Sequence, residues 1–140
     1  MEPFLGGLAL LALALHTGGM VFFAATIGPV AFSALPAEMA GRFLRAIFPV
    51  YYLFVFGTAA AAAVALFPIA PVDGGLIALS AAATLWLRQV LMPRINAASD
   101  ARNAGVDGAA AEFARLHRLS VVANLFQMLL GLALLLRFVP

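Results

Sequence analysis

Cysteine is missing from this chain of 140 residues, and so is lysine, because all eight basic residues are Arg. Without Cys there are no disulfides, no thiolate catalysis and no Cys-ligated metals. Charge is scarce, at 10 % of residues, against about 25 % in soluble domains. With 65 % apolar residues and a mean hydropathy of +1.08, the chain lacks the polar surface a water-soluble fold needs. The net charge is only +2 and no basic run occurs, so a nucleic-acid partner is not expected. HExxH, a phosphate-binding Gly-rich loop and a dinucleotide fingerprint are all absent. Two His residues fall short of a zinc site, which takes three or four ligands. A cleavable signal peptide is not expected either. Glu2 stands where a positive region belongs, and the apolar run after it is too long.

What the chain does have is long apolar stretches. A helix needs about 20 apolar residues to cross a bilayer, and four such stretches fit, at about residues 4–34, 37–67, 76–98 and 109–137. The expected fold is all-α, a single four-helix transmembrane bundle over residues 1–140 whose first partner is the lipid bilayer. Pro29 and Pro93 are candidate kinks, and Pro68 to Gly75 reads as a turn. No internal sequence repeat is evident. Gly18-Gly19, Gly28, Gly57 and the runs Ala59–Ala63 and Ala81–Ala83 read as places of close helix approach.

Arg placement orients the bundle. Arg42 and Arg45 follow the first turn, and Arg94, Arg102, Arg115 and Arg118 flank the connection between spans three and four. Arg137 stands alone at the other end. The positive-inside rule then puts both termini outside, on the periplasmic side of a bacterial inner membrane.

Polar residues inside the spans are the functional candidates, because a charge at the centre of a spanning helix costs about 2.5–3.5 kcal/mol on insertion scales. Arg88 is the one intramembrane charge, and no carboxylate lies within a span. Counted from the outer ends, His16, Arg88 and Asn124 each fall at a depth of about 20 Å. On the fourth span His117, Ser120, Asn124 and Gln127 recur at spacings of three, four and three, which is one helical face that Gly131 continues. The third span repeats the pattern with Ser80, Thr84 and Arg88, and the second offers Tyr51 or Tyr52 and Thr58. Such stripes belong inside the bundle or along a wet groove. They read equally well as a self-satisfied core, with Arg88 bonded to Asn124, Gln127 or a backbone carbonyl. His117, between Arg115 and Arg118, reads first as a headgroup histidine. A single His can ligate haem iron, which makes His16 a candidate, with Arg88 and the inner Arg residues as propionate partners.

The residues His16-Thr-Gly-Gly-Met-Val-Phe-Phe23, Gly28-Pro29-Val-Ala-Phe32, Ala40-Gly41 and Phe48-Pro49-Val-Tyr51-Tyr52 resemble the bacterial family called domain of unknown function 4149. So do Arg88, Pro93-Arg94-Ile-Asn96, Asp100, Phe113, Leu116-His117, Ser120 and Asn124-Leu125. The animal transmembrane protein 205 is similar to the same pattern. More distantly, the order of elements resembles the HemJ-type protoporphyrinogen oxidases and the copper-resistance CopD membrane proteins. That resemblance implies haem b with His16 as iron ligand, and it matches Pro49, Gly57 and Trp86-Leu87-Arg88. Val30 and Arg88 depart from the basic residue and the Lys of the HemJ type, and its third-helix C-terminal His is absent.

Two function classes follow. The first is a haem- or porphyrin-binding redox protein built on His16, Arg88 and Tyr52. The second is non-enzymatic binding or transport of a small molecule or metal ion along the groove of His117, Ser120, Asn124 and Gln127. A structural subunit or homo-oligomer is the plainer alternative.

Overall fold

The computed structural model describes residues 1–138. Among them, four helices are long and apolar enough to cross a membrane: α1 (Glu2–Ala34), α2 (Ala37–Leu66), α3 (Pro71–Asn103) and α4 (Ala109–Leu136). The short connections make successive helices antiparallel. α2 packs on α1 and α3, and α4 closes the ring against the N-terminal part of α1 and the C-terminal end of α3. Between 22 and 33 % of the residues in the most apolar stretch of each helix are buried. Phe4, Val50, Leu79 and Phe126 point outward. In water that surface would drive association, whereas in hydrocarbon it is the solvated face. The chain is a multi-pass membrane protein in contact with lipid.

The helix ends follow local chemistry. α3 starts at Pro71, earlier than the expected residue 76, with Pro at its first position and Asp73 in its first turn. Gly74 lies inside the helix, and a Cβ there would come 2.9 Å from the Phe67 backbone nitrogen, which favours glycine at that position. α3 also runs past the expected residue 98 to Asn103 and ends in a Schellman motif. Val106 N–H donates to Ala101 C=O, Gly105 N–H donates to Arg102 C=O, and Gly105 has a φ of 73°.

Two internal prolines are accommodated in the same way. Phe23–Ile27 before Pro29 and Leu87–Leu91 before Pro93 are wide π-helical turns. A proline has no N–H, and its ring strikes the carbonyl four residues back. The wider turn before it accommodates both defects. The same offset of 64 residues separates Pro29 from Pro93 and Phe23 from Leu87. Leu13-Ala14-Leu15 and Ile77-Ala78-Leu79 obey that offset too. Spans one and three share a device whose few common residues are diluted among interchangeable apolar ones.

The core divides into two apolar clusters. Ala9, Leu13, Ala59, Ala62, Leu66, Ile77, Ala81 and Leu134 pack in the half of the bundle nearer the chain termini, where Ala permits close approach. Tyr52, Leu87, Leu91, Ala98 and Leu116 pack in the opposite half.

Candidate functional site: a lateral cavity and a buried polar cluster

α2 serves as a common ruler for the polar side chains. His16 meets α2 at Val55 and Thr58, Asn124 meets it at Tyr51 and Tyr52, and Arg88 meets it at Pro49. From Val55 to Pro49 the helix rises about 9 Å. The expected layer of His16, Arg88 and Asn124 is therefore spread along the bundle, and Arg88 does not bond Asn124. The depth of Arg88 was counted from Gly75, whereas the helix starts at Pro71, which adds about 6 Å. Half-buried Arg88 donates from Nε to the Pro49 carbonyl at 3.3 Å. Pro49 lies one turn along α2 from Arg45, which pairs with Asp100 at 2.7 Å and donates to the Asn96 carbonyl. That position suits a guanidinium extending toward the membrane interface at that end of the bundle.

The central tier is buried. His16 is fully buried, and its Nδ1 lies 3.2 Å from the Val55 carbonyl. A carbonyl only accepts, so Nδ1 carries the proton and Nε2 is left as a lone pair. Gln127 donates from Nε2 to the Ser80 carbonyl at 3.0 Å and to Thr84 Oγ1 at 3.2 Å. The α3 stripe and the α4 stripe thus meet through Gln127. Thr17 joins them, a residue the sequence reading passed over although it adjoins His16.

The tier away from the chain termini holds a cavity of about 250 Å³ between α1 and α4. The N-terminal part of α1 packs on α4, while the stretch from Gly28 onward packs on α2. The wide turn before Pro29 accompanies this divergence and opens the seam. Met20, Phe23 and Ala24 form one wall, and Phe48 and Tyr51 form the back. His117, Ser120 and Asn124 line the α4 side, so three members of the expected stripe share one hollow. Phe23 stacks on Tyr51 with ring centroids 4.2 Å apart. Tyr51 donates to Asn124 Oδ1 at 3.3 Å, and Asn124 donates from Nδ2 to Tyr52 Oη at 3.2 Å and to the Ser120 carbonyl at 2.8 Å. Exposed His117 stacks on Phe113 at the rim. Larger hollows, such as the one of about 540 Å³ beside Arg94 and Glu112, are shallow and hold none of these stripe residues. Met20, Phe23 and Phe48 were not expected as site residues. Met20 and Phe23 do fall four and seven residues after His16, on its helical face.

The family profile described as domain of unknown function 4149 matches residues 11–104. The chain belongs to that family. No curated protein and no solved structure matches the chain, so the likenesses to transmembrane protein 205, HemJ and CopD gain no support there. In this family member the matched part carries His16, the Tyr51-Tyr52 pair and Arg88. The α4 wall of the cavity lies beyond it.

A haem does not fit at His16 in this packing. A Cβ built on Gly131 of α4 would lie 2.6 Å from Thr17 Oγ1 and 3.0 Å from His16 Cδ2. A gap that refuses a methyl group does not accept the face of a porphyrin. Arg88, the expected propionate anchor, points to Pro49 instead. Among the described residues, no three His, Asp or Glu side chains converge as a metal site.

Proposed function

We propose that this protein binds a small amphipathic molecule, taken from the bilayer, in the cavity between α1 and α4. The observation that carries this reading is the open seam. α1 leaves α4 where its helix widens before Pro29, and the exposed hollow has aromatic walls and a hydrogen-bonded floor. The floor bonds among Tyr51, Asn124 and Tyr52 hold it in one shape without a ligand. At about 250 Å³ the cavity is smaller than the roughly 300–1,000 Å³ of drug-sized sites, so its ligand is of ring or fused-ring size. Arg placement supports both termini outside, an inner-membrane location, and the cavity in the cytoplasmic leaflet. Binding without chemistry suits a cavity with no carboxylate or thiol in its lining.

Photolabelling tests the reading. The protein in lipid nanodiscs is irradiated with a small phenyl-diazirine alcohol, and labelled peptides are mapped by mass spectrometry. Labels are expected to concentrate on Phe23, Leu125 and Met128. Ala24→Trp, which fills the rim, is expected to remove them. Even labelling over all lipid-facing helices, unchanged by Ala24→Trp, would refute the proposal.

A further inference from the structure

Among the described residues, four buried side-chain atoms lack a hydrogen-bond partner: His16 Nε2, Thr17 Oγ1, Ser80 Oγ and Gln127 Oε1. Their residues are 0, 5, 3 and 3 % exposed. All four gather around one stretch of α4. Gln127 is bonded to the Ser80 carbonyl on one side. Gly131, one turn further along the same face, has Thr17 Oγ1 and His16 Nε2 within 4 Å of its would-be Cβ. Thr58, Thr84 and Ser120 all turn their hydroxyls back onto carbonyls of their own helices. Thr17 and Ser80 do not, which leaves their O–H groups free in the core.

The donors and acceptors define the guest. His16 Nε2 is an acceptor because Nδ1–H is committed to Val55. Gln127 Oε1 is an acceptor because its amide is committed to Ser80 and Thr84. The two hydroxyls adapt to either role. A halide or carboxylate would leave both acceptors unmet. A cation would enter without a counter-charge, since no Asp or Glu is among the buried residues. A water molecule donates to both acceptors, an alcohol hydroxyl donates to one of them, and either takes bonds from the two hydroxyls in return.

We propose that these four atoms form an internal site for a small neutral O–H donor, supplied either by free water or by the hydroxyl of a molecule in the lateral cavity. The second source rests on the cavity reading above. The two places are neighbours. Met20 lines the cavity and lies one turn from His16 and Thr17, while Asn124 lines it and lies one turn from Gln127. Met20 is the partition, and its unbranched side chain has the rotamer freedom to swing aside.

Two isosteric variants decide whether the site is used. Thr17→Val and Ser80→Ala each remove a hydroxyl that has no protein partner. If a donor occupies the site, each variant loses a bonded group and its Tm in nanodiscs falls by about 3 °C or more. If the hydroxyls are bare, removing them leaves Tm unchanged or raises it, and the proposal is overturned. Binding of 2-naphthol and 2-methoxynaphthalene then separates the two sources. A preference of about tenfold for the naphthol, lost in Gln127→Met, assigns the donor to the ligand hydroxyl. Equal binding of the two, with the Tm loss intact, assigns it to water. If neither compound binds the wild-type protein, the ligand source is overturned together with the cavity reading, and the Tm result alone decides for or against water.

Discussion

Gly131 of α4 faces Thr17 of α1 so closely that a Cβ at position 131 would sit 2.6 Å from the Thr17 hydroxyl oxygen. This contact holds the first and last spans together near the middle of the bundle. It also closes the centre of the bundle to anything as large as a porphyrin.

Gly131→Ala is expected to destabilise the protein. Overpacking costs about 1–3 kcal/mol, more than the roughly 1 kcal/mol that Ala gains over Gly in a helix. Gly57→Ala is the control, because a Cβ there meets nothing within 4 Å. It is expected to be neutral or stabilising. Thermal unfolding in nanodiscs compares the two, and a Gly131→Ala protein as stable as wild type would show that the seam yields.

Asn124 joins Tyr51 and Tyr52 across the bundle, so Asn124→Leu is expected to cost about 1 kcal/mol. Interhelical hydrogen bonds in membranes average about 0.6 kcal/mol, with a maximum near 1.7. A double-mutant cycle of Asn124→Leu with Tyr51→Phe, read by denaturation in mixed micelles, measures the coupling. Zero coupling would mean that the cavity floor is not preassembled.

Arg88 bonds one backbone carbonyl and lies in the C-terminal half of its span. Arg88→Met is therefore expected to change stability by less than about 1 kcal/mol. A buried ion pair broken by loss of one partner would cost about 3–5 kcal/mol. Measured unfolding free energies distinguish these cases, and a loss on the larger scale would place Arg88 in an inner network that it does not form here.

The absence of Cys makes topology easy to read. Ile69→Cys in the turn before α3 is expected to react with a membrane-impermeant maleimide added to intact cells. Val106→Cys, between α3 and α4, is expected to react only after lysis. The reverse pattern would invert the orientation drawn from Arg placement and move the cavity to the other leaflet.

Some of the site was readable before any coordinates. The spacing of Ser120, Asn124 and Gln127 identified the inward face of α4, since a helix repeats its faces whatever surrounds it. Ser80 and Thr84 were readable in the same way on α3. Their partners were not. Asn124 bonds Tyr52 and Gln127 bonds Ser80, and neither pairing follows from distance along the chain. Depth counting failed for Arg88 because Gly74 and Gly75, read as a turn, lie inside α3. The wide turns before Pro29 and Pro93 were foreseen only as kinks.

By itself the sequence determined that this protein is a four-span helical membrane protein with an almost charge-free interior. Hydropathy, span length and helical periodicity are properties of residue order alone. Tertiary structure decided the rest: that α1 parts from α4 at the turn before Pro29, that Gly131 shuts the space over His16, and that four polar atoms meet without partners. Those outcomes depend on how each helix is rotated and where its neighbours approach, and one-dimensional spacing does not carry that information.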